Sequence, residues 1–200
     1  MQQKKDWFVE KANDYDTKKH RTQNVRNIAK GILNEVSFSK HMNIMDFGSG
    51  TGLLLSEIAP HVGKITAVDI SPSMNAILKA KRVECEVELL EMDLTTEKLD
   101  QKFDAIISSM TLHHIQDVQG LFKKFYDLLN DDGIIAIADL DTEDGSFHTT
   151  DTGVFHYGFD REEFKSMAKN VGCRNIKIQS ISIVEKPTGN YPVFLLTAEK

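Results

Sequence analysis

The nine residues 44–52, IMDFGSGTG, restrict the possible folds of this chain more than any other stretch. An apolar run gives way to Gly48, Gly50 and Gly52, and a helical pattern starts at once behind them. The next apolar run, 64–69, ends on a second carboxylate, Asp69. Glycines at alternate positions let the backbone approach a ligand where a side chain would collide, and a strand-end carboxylate can accept two hydrogen bonds from a ribose diol. A strand, loop, helix and strand in this order form the opening unit of an α/β sheet that holds an adenosine-containing cofactor.

The nicotinamide fingerprint G-x-G-x-x-G needs its third glycine at the position of Leu53, and a pyrophosphate would meet the negative charge of Asp46 just before the turn. Asp46 instead suits a ligand that carries an ammonium and a sulfonium. The pattern D-x-G-S-G-T-G, with Asp69 after the following strand, resembles motif I and the acidic second motif of class I S-adenosylmethionine (SAM) methyltransferases.

At 200 residues and 40% hydrophobic content the chain suits one domain, 1–200, with a full core and little room for a separate substrate domain. This further disfavours a nucleotide-cofactor oxidoreductase. The net charge of −6 and the scattered basic residues argue against a nucleic-acid substrate, because phosphate neutralisation needs a basic stripe. The basic clusters near residues 4–11 and 18–21 read as solvated helix faces. Cys85 and Cys173 lie far apart without metal-ligand spacing and suit reduced structural thiols. No apolar stretch approaches the roughly 20 residues of a membrane span, and residues 1–20 are too polar for a secretory signal, so the expected location is cytoplasmic.

Strands and helices alternate along the chain. Val25, Ile28, Ala29, Ile32, Leu33 and Val36 recur at helical spacing and predict an amphipathic helix over 22–37. Strands follow at 44–47, 64–69, 87–92, 103–109 and 134–140, with helices at 52–59, 72–82 and 117–129. Ser71-Pro72 supplies an N-cap with proline at the first helical position. Residues 141–160 are polar, glycine-containing and aromatic, which predicts an active-site loop or lid. A helix over 161–170 precedes strands at 176–184 and 191–198, joined by the turn-rich KPTGN. So short a connection makes them a hairpin, with the last strand antiparallel to the sheet. The expectation is a Rossmann-like seven-stranded, mostly parallel sheet with an antiparallel C-terminal hairpin strand, helices on both faces, and cap helices over 1–37.

This layout is similar to the class I methyltransferases along essentially the whole chain, and closest to the ubiquinone/menaquinone-biosynthesis-like group of small-molecule enzymes. The resemblance implies a cofactor site at the strand ends. Asp46 stands near the SAM amino group, and Gly48, Ser49, Gly50, Thr51 and Gly52 line its amino-acid moiety. Asp69 takes the ribose hydroxyls, Ile70 packs on adenine with Met74 nearby, and Asp93 and Leu94 meet the adenine edge. Ser109 and Met110 border the sulfonium, and His114 closes the pocket. The segment WFVEKANDYD resembles the family's F-x-x-x-A-x-x-Y-D, which would fold Tyr15 over the cofactor; the plainer reading docks Trp7 and Phe8 on the core. Lys19 and Arg21 are candidates for the SAM carboxylate.

Transfer of an already activated methyl needs an in-line approach, exclusion of water and, for a protonated acceptor, a base. Of the histidines His113, His114, His148 and His156, the proton-transfer candidates are His114 and His156. Asp139, Asp141, Glu143 and Asp144 occupy the region where catechol-type enzymes hold magnesium, but the asparagine-containing ligand set is missing, so no metal is expected. The implied reaction is methyl transfer from SAM to a small-molecule O, N, S or C nucleophile, leaving S-adenosylhomocysteine. A non-catalytic SAM-binding or regulatory protein is the alternative from another class. Acceptor identity and oligomeric state are not encoded in any motif.

Overall fold

The computed structural model describes residues 6, 8–12, 14–150 and 152–200, the side chains of Glu10 and Lys11 excepted. The elements are α1 (Val9–Ala12), α2 (Lys19–Glu35), β1 (Asn43–Phe47), α3 (Leu53–Ile58), β2 (Lys64–Asp69), α4 (Pro72–Lys79), β3 (Glu86–Glu91), β4 (Phe103–Ser109), α5 (Val118–Leu128), β5 (Leu129–Leu140), α6 (Arg161–Asn170), β6 (Arg174–Lys186) and β7 (Gly189–Glu199). The strands form one sheet in the order β3-β2-β1-β4-β5-β7-β6. Its first five strands are parallel, and β7 runs antiparallel to both β5 and β6. The expected seven-stranded, Rossmann-like architecture with its antiparallel hairpin strand is therefore present.

Alternation along the central strands builds two cores. Ile44 on β1, Ala105 and Ile107 on β4 and Ala136 and Ala138 on β5 pack with Ile28 and Ile32 of α2 and Leu54, Leu55 and Ile58 of α3. Met45, Phe47, Ile106, Ile135 and Ile137 face the other way, onto Phe122 and Phe125 of α5 and Phe164 of α6. Both faces of the sheet are thus covered, as parallel strands with apolar residues on both sides require.

Several boundaries differ from those predicted. The helix expected over 22–37 starts at Lys19 and ends at Glu35; no side chain caps its first turn, so nothing local marks its start. Asp117 lies outside α5 and caps it, its carboxylate accepting from Gly120 N at 2.8 Å. Helix α4 ends at Lys79, short of Arg82, although Ser71 caps it as expected by accepting from Met74 N. β5 begins at Leu129 rather than Ile134, because Leu129 pairs with Phe103 before an irregularity that absorbs the predicted turn. The final hairpin is longer than expected, with Lys186 paired to Gly189 across Pro187-Thr188. Trp7 lies outside the described residues. Among those described, no helix is long and apolar enough to cross a membrane.

Candidate active site

β1 lies between β2 and β4, so the chain leaves the two sides of this point in opposite directions. A crevice opens there at the carboxyl ends of the strands, where open α/β sheets place their ligands. It is a cavity of about 450 Å³, within the range of small-molecule sites.

The glycine loop forms its floor. Gly48 N and Ser49 N donate to Val68 O at 2.8 and 3.3 Å, which ties the loop to the end of β2. Gly48, Gly50 and Gly52 all have positive φ, at 69°, 52° and 81°. A Cβ on Gly48 would lie 2.2 Å from Thr111 Cγ2, and one on Gly52 2.4 Å from Leu78 Cδ1, whereas one on Gly50 would meet nothing nearer than 4.0 Å. Gly50 thus faces open space in the crevice. Gly52 does not line the cavity; it caps α3 and packs on Leu78, so its part is structural, unlike the ligand contact expected of it.

Asp46 is fully buried on β1, and neither carboxyl oxygen has a hydrogen-bond partner. Burial, assisted by the charge of Asp69, pushes its carboxyl up to about 8. Ser49 Oγ, Ser109 Oγ and Asn24 Oδ1 are likewise buried without partners, and all three residues line the same cavity. An unpaired buried polar atom costs about 1–3 kcal/mol, so this concentration marks a surface shaped for a polar ligand. Asp69 stands across the loop, its carboxylate accepting from Gly50 N and Ser71 N, each at 2.8 Å. Burial raises its carboxyl against the pull of these amides. A carboxylate has about four acceptor sites, so these amides leave it capacity for a diol.

The other predicted stations converge on the same crevice: Thr51, Ile70, Met74, Asp93, Leu94, Ser109, Met110, His114 and Tyr15. Ile70 is 53% exposed, as a residue waiting to cover a flat apolar group would be. Met110 adopts φ 56°, a strained conformation for a non-glycine residue and one that recurs at functional sites. Arg21 lies over the Tyr15 ring at 4.2 Å and also lines the cavity, whereas Lys19 does not. The N-terminal segment is tied down by Asp16, which accepts from Thr51 Oγ1 at 2.5 Å and pairs with Lys81 at 2.6 Å. Asp6 similarly holds Ser71 and Ser73.

The far wall is made by the segment 142–158, whose described residues form no helix or strand and which is anchored by the bridge Asp141↔Phe159 and by Phe155 N donating to His113 O at 3.0 Å. Of the four aromatics within 141–160, Phe147 and Phe155 line the cavity, while Tyr157 and Phe159 do not. His156 is also outside the lining; its Nε2 lies 2.9 Å from Ile115 O and its ring packs on Phe159, so it buttresses the loop. His114 reaches the cavity, but burial and the neighbouring His113 push its imidazole down to about 4, leaving it neutral.

The acids at the end of β5 and just after it all have protein partners. Asp141 pairs with Arg161 through two contacts of 2.6 Å, Glu143 accepts from Gly145 N and Phe147 N, and Asp144 accepts from Ser146 N. Asp139 is wholly buried and accepts from Leu112 N, Leu140 N and His113 Nδ1, the last at 2.6 Å. Burial pushes this carboxyl up, but the charge and hydrogen bond of His113 outweigh it and hold the group below its ordinary range.

A model described as a methyltransferase domain matches residues 19–178. The chain belongs to this family. An uncharacterized methyltransferase of Schizosaccharomyces pombe is 31% identical over 68% of this chain and 55% of its own. A malonyl-[acyl-carrier protein] O-methyltransferase of Acetivibrio thermocellus is 30% identical over 66% of this chain and 47% of its own. The chain thus spans about half the length of these curated relatives. Phosphoethanolamine N-methyltransferase 2 of Haemonchus contortus, solved with phosphomonomethylethanolamine and S-adenosylhomocysteine, shares the fold at TM-score 0.73 and 17% identity, over 98% of this chain and 59% of its own. In this methyltransferase domain, sequence motifs flagged most of the strand-end residues, but Asn24, Thr111 and the pair His113–Asp139 were not singled out as lining or supporting groups. Their only sequence signal is position: one helix before the sheet and two strand ends.

Proposed function

We propose that this methyltransferase domain binds SAM in the crevice and transfers its methyl group to a small molecule. The observation that carries this reading is the buried, unpartnered Asp46 carboxyl beside a glycine loop and opposite Asp69. An ammonium satisfies Asp46 and converts an energetic liability into a charge-assisted hydrogen bond. Asp69 holds the ribose, Ile70 and Met74 flank the adenine, Asp93 and Leu94 meet its edge, and Tyr15 covers the cofactor. Bound SAM supplies a methyl already activated by its sulfonium. Loop 142–158 and the N-terminal segment exclude water and orient the acceptor. Phe147 and Phe155 favour an acceptor with an apolar part.

Calorimetry with S-adenosylhomocysteine tests this. One molecule binds per chain, and Asp69→Ala weakens binding about 10- to 100-fold, the equivalent of losing hydrogen bonds to a charged group. Tight NADH binding with no binding of S-adenosylhomocysteine overturns the assignment.

A further inference from the structure

His113, His114 and His148 bring three imidazoles together in the lining of the cavity. Their ring centroids are 4.3, 5.1 and 5.5 Å apart, and one ring nitrogen of each lies within 4.8 Å of one on both others. The supporting bonds fix the Nδ1 proton of His113 and His114. Asp139 can only accept when ionised, so His113 keeps a proton on Nδ1, and Nε2 is the nitrogen it would turn to an ion. His114 Nδ1 lies 3.4 Å from the carbonyl of Gly153, which also only accepts, and this leaves the lone pair on Nε2. His148 Nδ1 is 3.1 Å from Thr152 Oγ1. A buried carboxylate behind a histidine, fixing its ring and raising its basicity, is the support that metal-binding histidines use.

We infer that His113, His114 and His148 bind a divalent transition ion of the zinc class, and that its open position receives the methyl acceptor through an ionisable oxygen or sulfur. Three histidine ligands with one open position is the composition of a catalytic rather than a structural zinc site. Within the 4.8 Å limit, a central ion would stand at most about 2.8 Å from each nitrogen, against about 2.0–2.1 Å for a zinc–histidine bond, so each ring moves by less than about 1 Å. His148 sits on the 142–158 loop, which can supply that movement, while His113 is fixed by Asp139.

The acceptor half of the inference rests on the SAM reading. The acceptor R–XH loses its proton to solvent on meeting the ion, and the lone pair of X attacks the methyl carbon. The carbon–sulfur bond breaks, its electrons return to sulfur, and the products are R–X–CH3 and neutral S-adenosylhomocysteine. The ion lowers the pKa of the bound acceptor, so the step needs no side-chain base.

The test is titration of the full chain, stripped with a chelator, with Zn2+ and separately with Co2+. The expected result is one equivalent bound, with the visible absorption of four-coordinate Co2+. His148→Ala, in a loop outside the sheet, and His113→Ala each weaken binding about 100-fold or more, exceeding the 10- to 100-fold that loss of an outer-shell partner costs. His61→Ala leaves it unchanged, which separates the site from surface histidines. Absence of stoichiometric uptake, or uptake retained in either cavity variant, overturns the proposal. Calorimetry of S-adenosylhomocysteine on the metal-free chain reports on the cofactor reading alone, so the two fail separately.

Discussion

At the scale of single residues, Asp46 decides most. Its carboxyl titrates near 8 in the fold and at its ordinary value of 3.8 in the unfolded chain. Between these values the folded chain holds a proton that the unfolded chain has released, so stability falls as pH rises from about 4 to about 8. The slope is at most about 1.4 kcal/mol per pH unit. Asp46→Asn removes this slope; thermal melts of both proteins across that range check it, and parallel curves refute it. A bound ammonium favours the ionised form, so S-adenosylhomocysteine binding at pH 7 releases a proton from Asp46. Calorimetry in buffers of different ionisation enthalpy measures this release, which is absent in Asp46→Asn. Asp46 was legible in the sequence because it stands two residues before a glycine loop. The buried His113–Asp139 pair was not, since its partners are 26 positions apart and meet only through the register that sets Ser109 against Ala138.

Among the elements, the glycine loop separates two tasks that its sequence presents as one. Gly48→Ala and Gly52→Ala force a Cβ into Thr111 and Leu78 on top of an unfavourable φ, and each destabilises the fold by about 1–3 kcal/mol. Gly50→Ala has room for its Cβ and carries only the left-handed backbone cost of about 1–2 kcal/mol. Its larger effect is on ligand affinity, because the methyl projects into the crevice. Denaturant melts and cofactor titrations of the three variants distinguish this from a loop whose glycines act alike. The N-terminal segment supplies a second contrast: Asp16→Ala cuts its ties to Thr51 and Lys81, so cofactor affinity falls several-fold while global stability changes by no more than about 1 kcal/mol, these being partly exposed contacts. The bounds of β2, β4 and α6 were readable because local signals agree at both ends, such as Asp160 capping α6 by accepting from Glu162 N and Glu163 N. The start of β5 was not readable, as pairing with β4 rather than local propensity draws Leu129 into the sheet.

For the molecule as a whole, the sheet is a rigid platform and the cavity is assembled from both ends of the chain. Tyr15 and Arg21 come from its beginning, the glycine loop and Asp69 from its first strands, and Phe147 and Val184 from beyond β5. The platform is held by two apolar cores, whereas the cavity walls are held by side-chain hydrogen bonds such as Asp6 to Ser73 and by few backbone contacts of 142–158. Segments of this second kind open locally at lower free energy than the core. A ligand that touches both walls therefore stabilises them more than it stabilises the sheet. At a concentration of about 100 times Kd it adds about 2.7 kcal/mol to global stability, which raises Tm by about 5–11 °C for a domain of this size. In hydrogen exchange, saturating S-adenosylhomocysteine slows the amides of 14–22 and 142–158 strongly and leaves the β6–β7 hairpin nearly unchanged outside Val184 and Lys186. Uniform slowing across the hairpin and the walls would mean that the ligand acts on global unfolding alone, and that the two ends of the chain do not close on it as separate walls.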